Sequence, residues 1–176
     1  ITSVDRETRR GYLHLFDLRT GKLIQKVEVQ EGDRFHPGGI SLDGDSIWVP
    51  VAEYRRASTS VIQRRDKRTL KLLASFPVGD HIGCIAAGRG QLIGGKWDSR
   101  DLYVWDQEGR LIERRANPSR TSYQDMKRRG RYLVASGPTG RDSGAVEWLD
   151  WPSLRTVRSL AVGKTGRAVG YANEGM

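Results

Sequence analysis

Apolar and polar positions alternate in short runs along most of the chain, and turn residues interrupt the runs at close intervals. Alternation over about four to eight residues is the period of a half-buried strand, and no window carries a helical period long enough to predict a substantial helix. Four segments share one order: an apolar run, an aspartate, a short turn, a second apolar run. They are LHLFDLRTGKLIQKVEV from Leu13, VIQRRDKRTLKLLASFPV from Val61, LYVWDQEGRLIERRAN from Leu102 and VEWLDWPSLRTVRSLAV from Val146. The aspartates Asp17, Asp66, Asp106 and Asp150 are separated by 49, 40 and 44 residues. A strand-built unit repeating at this period predicts an all-β fold, a β-propeller of four-stranded antiparallel blades.

Each repeat divides into four strands. In the most regular one, GISL from Gly39 is expected innermost, followed by SIWVPVAEY, a third strand from Ser60 to about Asp66, and LLASFPV outermost. The next repeat reads HIGCIAAG, QLIGGKW, DLYVWD and RLIERRA; the third reads YQDMKRRG, RYLVASG, AVEWLDW and TVRSLAV. The Asp-led turns suit an aspartate that bonds its own backbone and a glycine that accepts positive φ. Pro50, inside SIWVPV, predicts a bulge or kink beside the channel, because proline cannot donate to a ladder. At the ends, ITSVDRETR reads as the close of a second strand, and RAVGYANEGM aligns with a first strand. About four blades are therefore expected in one domain over residues 1–176, read as a slice of a six- or seven-bladed ring truncated at both ends. The alternative is that RAVGYANEGM completes the first blade and closes a four-bladed ring.

The first strands hold the candidate chemistry. They begin GDRFHPGGI, VGDHIGCI, SRTSYQDM and TGRAVGYA, which brings His36, His81, Tyr123 with Asp125, and Arg167 to nearly equivalent positions, 45, 42 and 44 residues apart. His36 and His81 each stand four residues before an isoleucine, Ile40 and Ile85, so they are expected side by side on adjacent first strands. Tyr123 stands three before Met126, and a one-residue difference can turn its side chain to the other face. Two histidines, a tyrosine and carboxylates around one axis form an acid–base or metal-ligand set; the plainer reading is histidines that bond neighbouring carbonyls. Glu53, Trp97 and Asp98 end the second strands; the two carboxylates meet the histidines only if those ends curve inward, and otherwise pair with Arg55 and Arg100 on the surface. Gly38, Gly39, Gly83, Gly94 and Gly95 are read as places where backbones approach closely. Trp48, Phe16, Trp105, Trp148 and Trp151 follow strand alternation and are expected between blades.

Composition narrows the classes. The net charge of +9 points toward a polyanion, but the 30 basic residues are 23 arginines and 7 lysines spread as pairs over every repeat, which argues against a nucleic-acid site. Two partners stay open: a small polar molecule at the channel, with hydrolysis among the chemistries it could meet, or an acidic protein held on basic rims. No run approaches the length of a membrane span. Cys84, the single cysteine, sits in an apolar context and is expected buried and inert; it excludes an internal disulfide. No nucleophile elbow, phosphate loop, CxxC or EF-hand spacing occurs, so no cofactor is named. The compartment is left open, secreted or periplasmic if a leader precedes Ile1.

The runs RFHPGGISLDGDSIWVPVAEYR, DHIGCIAAG, GGKWDSRDLYVWDQEGR and YQDMKRRGRYLVASG resemble a bacterial and fungal propeller family classed as a domain of unknown function, near the quinoprotein-like and YVTN-type propellers. The resemblance spans about Asp33 to Gly170. It implies a propeller fold without an assigned reaction, and it implies that His36, Glu53, His81, Trp97, Tyr123, Gln124 and Asp125 belong to the family pattern. Cys84 stands where the pattern leads one to expect glycine.

Overall fold

The computed structural model describes residues 1–163, all of them strand, turn or loop. RAVGYANEGM, expected as a first strand, lies outside the described residues, and so does Arg167. Among the described residues, sixteen strands form four antiparallel sheets. The first blade holds β1 (Thr2–Asp5), β2 (Arg10–Phe16) and β3 (Leu23–Glu28). The second begins with an interrupted inner strand, β4 (Arg34–Pro37) and β5 (Ser41–Asp43). Both pair with β6 (Ser46–Glu53), which leads out to β7 (Ser60–Asp66) and β8 (Leu72–Val78). The third holds β9 (Ile82–Gly88), β10 (Gln91–Lys96), β11 (Asp101–Asp106) and β12 (Leu111–Ala116). The fourth holds β13 (Asp125–Arg129), β14 (Tyr132–Pro138), β15 (Gly144–Asp150) and β16 (Thr156–Val162). The described residues form four blades of a β-propeller, as the repeat period predicts.

The recurrent aspartate closes the turn between the two outer strands of a blade. Asp17 Oδ1 accepts Thr20 N–H at 2.7 Å and its hydroxyl at 2.8 Å, and Asp66 does the same for Thr69. Four residues beyond the aspartate the backbone enters the left-handed region at Gly21, and also at Leu70 and Leu154, with φ of 55° and 56°. Leucine there costs about 1 kcal/mol or more. Both leucines are about 99% buried between blades, which offsets that cost.

Neighbouring blades share their cores because β6 and β9 are covered on both faces. Ile47, Val49 and Val51 of β6 pack toward the first blade with Leu13 and Val29, while Trp48 packs toward the third with Ile82, Ile85 and Trp105. Cys84 and Ala86 of β9 turn the other way, onto Met126, Leu133 and Trp151. Trp48, Trp105 and Trp151 thus lie between blades as expected. Phe16 does not; it is 39% exposed.

The inner strand of the second blade is not the continuous GISL run read from the sequence. It breaks at Gly38–Ile40, opposite Pro50. The Pro50 carbonyl accepts Gly38 N–H at 2.9 Å, so the edge facing the inner strand has an acceptor there and no donor. The freed segment bonds instead to the next blade: Gly39 N–H donates to Gly83 O, and Ile85 N–H to Gly39 O, each at 3.0 Å. A Cβ on Gly38 would stand 2.0 Å from Gly83 O, and one on Gly39 would stand 2.7 Å from Gln124 O and Asp125 Oδ1. The paired glycines let three inner strands meet at the axis.

Candidate functional site

That meeting point borders a cavity of about 620 Å3, walled by Thr2–Val4 of β1, His36–Ile40, His81, Gly83, Trp97, Gln124, Asp125 and Lys127. His36 stands on β4 in register with Ala52; His81 immediately precedes β9. Their ring centroids are 5.7 Å apart, the adjacency expected from the repeat register. Trp97 extends β10 by donating its N–H to His81 O at 3.0 Å, and its indole meets the His81 ring edge-on at 4.6 Å. Tyr54 covers His36 from the other side at 4.4 Å and in turn lies under the Arg6 guanidinium. Tyr54 was not singled out in the sequence, although it ends the same second-strand run as Glu53.

Burial, reinforced by His81 and Arg6, pushes the His36 pKa down to about 4. Burial also lowers His81, opposed by its bond to the Arg55 carbonyl and by Asp80 and Glu53. Both imidazoles are therefore neutral near pH 7. His81 Nδ1 has two partners, Arg55 O at 2.9 Å and Ser58 Oγ at 3.0 Å. His36 Nδ1 is buried with no hydrogen-bond partner among the described residues.

Three sequence expectations need correction or limits. Tyr123 does not reach the cavity. It is 1% exposed among Cys84, Met126 and Leu133, and its hydroxyl donates to Glu147 Oε2 at 2.5 Å. The cause is a register slip. Ser122 N–H bonds Pro138 O and Gln124 N–H bonds Ser136 O, yet the register partner of Ser136 is Asp125. Two consecutive residues opposite one form a bulge, which reverses the alternation at that point. Gln124 and Asp125 consequently both face the cavity while Tyr123 turns into the core. Glu53 also stays outside: it lines two outer clefts, bonded to Thr59 and Arg55. Asp98 pairs with Arg56 rather than meeting a histidine. Among the described residues no group of three or more His, Cys, Asp or Glu could hold a metal ion. Lys127 was missed; its ammonium pairs with Asp125 and donates to Ile40 O across the axis at 2.8 Å. Period-two alternation from Asp125 was the signal that could have found it. Cys84 is fully buried as expected, and burial pushes its thiol up to about 12.

A family model covers residues 1–141 of this fold. The chain belongs to the family of unknown function DUF6454. This agrees with the resemblance drawn from the HPGG to YQD segments. No curated protein matches the DUF6454 chain. Solved structures similar to it include the hydrazine synthase of Kuenenia stuttgartiensis, at 17% identity and TM-score 0.56, covering 88% of this chain and 44% of that one. The Pan2 WD40 domain of Neurospora crassa aligns at 11% identity and TM-score 0.59, covering 92% of this chain and 49% of that domain. A protein of unknown function from Bacteroides caccae aligns at 10% identity and TM-score 0.59, covering 86% and 54%. The chain thus spans about half the length of these structures. At such identities the likeness establishes the propeller alone.

Proposed function

We propose that this propeller binds a small polar ligand in the axial cavity, against His36, His81, Trp97, Gln124 and Lys127. The observation that carries the reading is the cavity lining, where two neutral imidazoles 5.7 Å apart stand with the Trp97 indole beside Gln124 and the Lys127 ammonium. A ring nitrogen, an amide and an ammonium are groups that a polar ligand can hydrogen-bond, each at about 0.5–1.5 kcal/mol net. The aromatic rings of Trp97, His36 and His81 supply an apolar surface beside them, the mixed lining expected of a ligand pocket. An imidazole held near pKa 4 is a weak general base, so the reading is binding rather than hydrolysis. The basic-rim alternative draws less support. Arg9, Arg55, Arg56, Arg114 and Arg131 are each committed to a carboxylate of this chain.

The test is a thermal-shift panel of sugars, polyols, amides and organic acids on the full chain, followed by calorimetry of any hit with His36→Phe. The expected result is a stabilising compound whose affinity falls at least about tenfold in the variant. Absence of any stabilising compound, or equal affinity in the variant, overturns the reading.

A further inference from the structure

Glu53 lies behind the cavity wall, and its position gives it a task there. Its Oε1 accepts the Thr59 N–H at 3.1 Å and the Thr59 hydroxyl at 2.9 Å, and its Oε2 accepts Arg55 Nε at 2.6 Å. Those bonds hold its carboxyl below the usual range, so it is ionised near neutrality. Arg34 Nε donates to the same Thr59 hydroxyl at 2.9 Å, and Glu53 N–H bonds Thr59 O at 3.2 Å. One carboxylate therefore closes the loop from 53 to 59. That loop presents the Arg55 carbonyl and the Ser58 hydroxyl together to Nδ1 of His81. A carbonyl oxygen can only accept, so Nδ1 must carry the proton, and in a neutral ring Nε2 must then carry the lone pair. A histidine side chain free in water prefers the opposite arrangement, Nε2–H.

We propose that Glu53 is a positioning residue for His81: by closing the 53–59 loop it sets the Nδ1–H tautomer and leaves Nε2 as the ring's acceptor. The cavity then selects a ligand group that donates, a hydroxyl or amide N–H, over one that only accepts. This second statement rests on the ligand-binding reading above; the first does not.

The experiment records ring nitrogen shifts by long-range proton–nitrogen correlation on the 15N-labelled full chain near pH 7. The three histidines are assigned by His→Gln substitution one at a time. His81 is expected to show a protonated Nδ1 and a bare Nε2; a protonated Nε2 overturns the proposal. Glu53→Ala is expected to move the His81 nitrogens toward the opposite or an averaged tautomer. Glu53→Gln, which keeps an oxygen for Thr59, is expected to restore the parent signals. An unchanged tautomer in Glu53→Ala refutes the role of Glu53. Should Glu53→Ala fail to fold, Glu53→Asp replaces it. Its shorter side chain cannot span Thr59 and Arg55 together, and unchanged signals there refute the role equally. In the thermal-shift panel, hits carrying hydroxyl or amide N–H donors support the selection, and hits made only of acceptors overturn it. The tautomer is read without ligand, so a failed ligand screen and a failed tautomer assignment are separate results.

Discussion

Acidification tests the energetic state of the histidine pair. A histidine whose folded pKa lies below its unfolded value binds fewer protons when folded. Stability therefore rises with pH across the gap and is lost on acidification from the unfolded value toward the folded one. For His36 the gap runs from 6.5 to about 4. At 1.36 kcal/mol per pH unit this amounts to about 3 kcal/mol once pH 4 is reached, a large part of the 5–15 kcal/mol typical of a domain. His81 acts in the same direction, and Arg6 opposes protonation of His36. Carboxylates with lowered values, such as Glu53 and Asp80, lose their contributions only as pH falls through the carboxylate range. The interval from pH 6.5 to 5 therefore isolates the histidines. Urea unfolding of the parent and of His36→Gln across that interval is the assay. The parent is expected to lose about 1.5 kcal/mol between pH 6.5 and 5 from His36 alone, and the variant is expected to lose distinctly less. Parallel losses in the two proteins, or a parent stability flat to pH 5, would refute the argument.

Two further outcomes follow from the packing at the axis and between blades. Gly38→Ala places a methyl 2.0 Å from a backbone oxygen that cannot move aside, and should destabilise the chain by at least about 2–3 kcal/mol; a denaturation midpoint close to the parent's would contradict the close approach. Tyr123→Phe removes the donor to a buried carboxylate that keeps Ser119 and Ser159 among the described residues, and should cost about 1–3 kcal/mol. The ring signals of His36 and His81 should stay unmoved, and a shift there would return Tyr123 to the cavity.

Apart from the broken inner strand of the second blade, the strands, their grouping into blades and the turn aspartates follow from local chemistry and were legible in the chain. Period-two alternation identifies strands, Asp-led turns close on their own backbones, and the repeat length sets the blade. The adjacency of His36 and His81 was legible for the same reason, since both keep one offset from an isoleucine in equivalent strands. Residues whose direction depends on pairing partners were not legible. Tyr123 faces the core because a bulge at Gln124–Asp125 slips the ladder by one residue, and a slip reverses every side chain beyond it. Glu53 turns away because Thr59 and Arg55 satisfy it within its own loop. The cavity itself arises where Pro50 withholds a hydrogen bond and Gly38–Gly39 leaves its blade for the next. Sequence alone determined the period and faces of the strands; tertiary structure decided where the ladder slips and which unpaired groups find partners, because those bonds join residues distant along the chain.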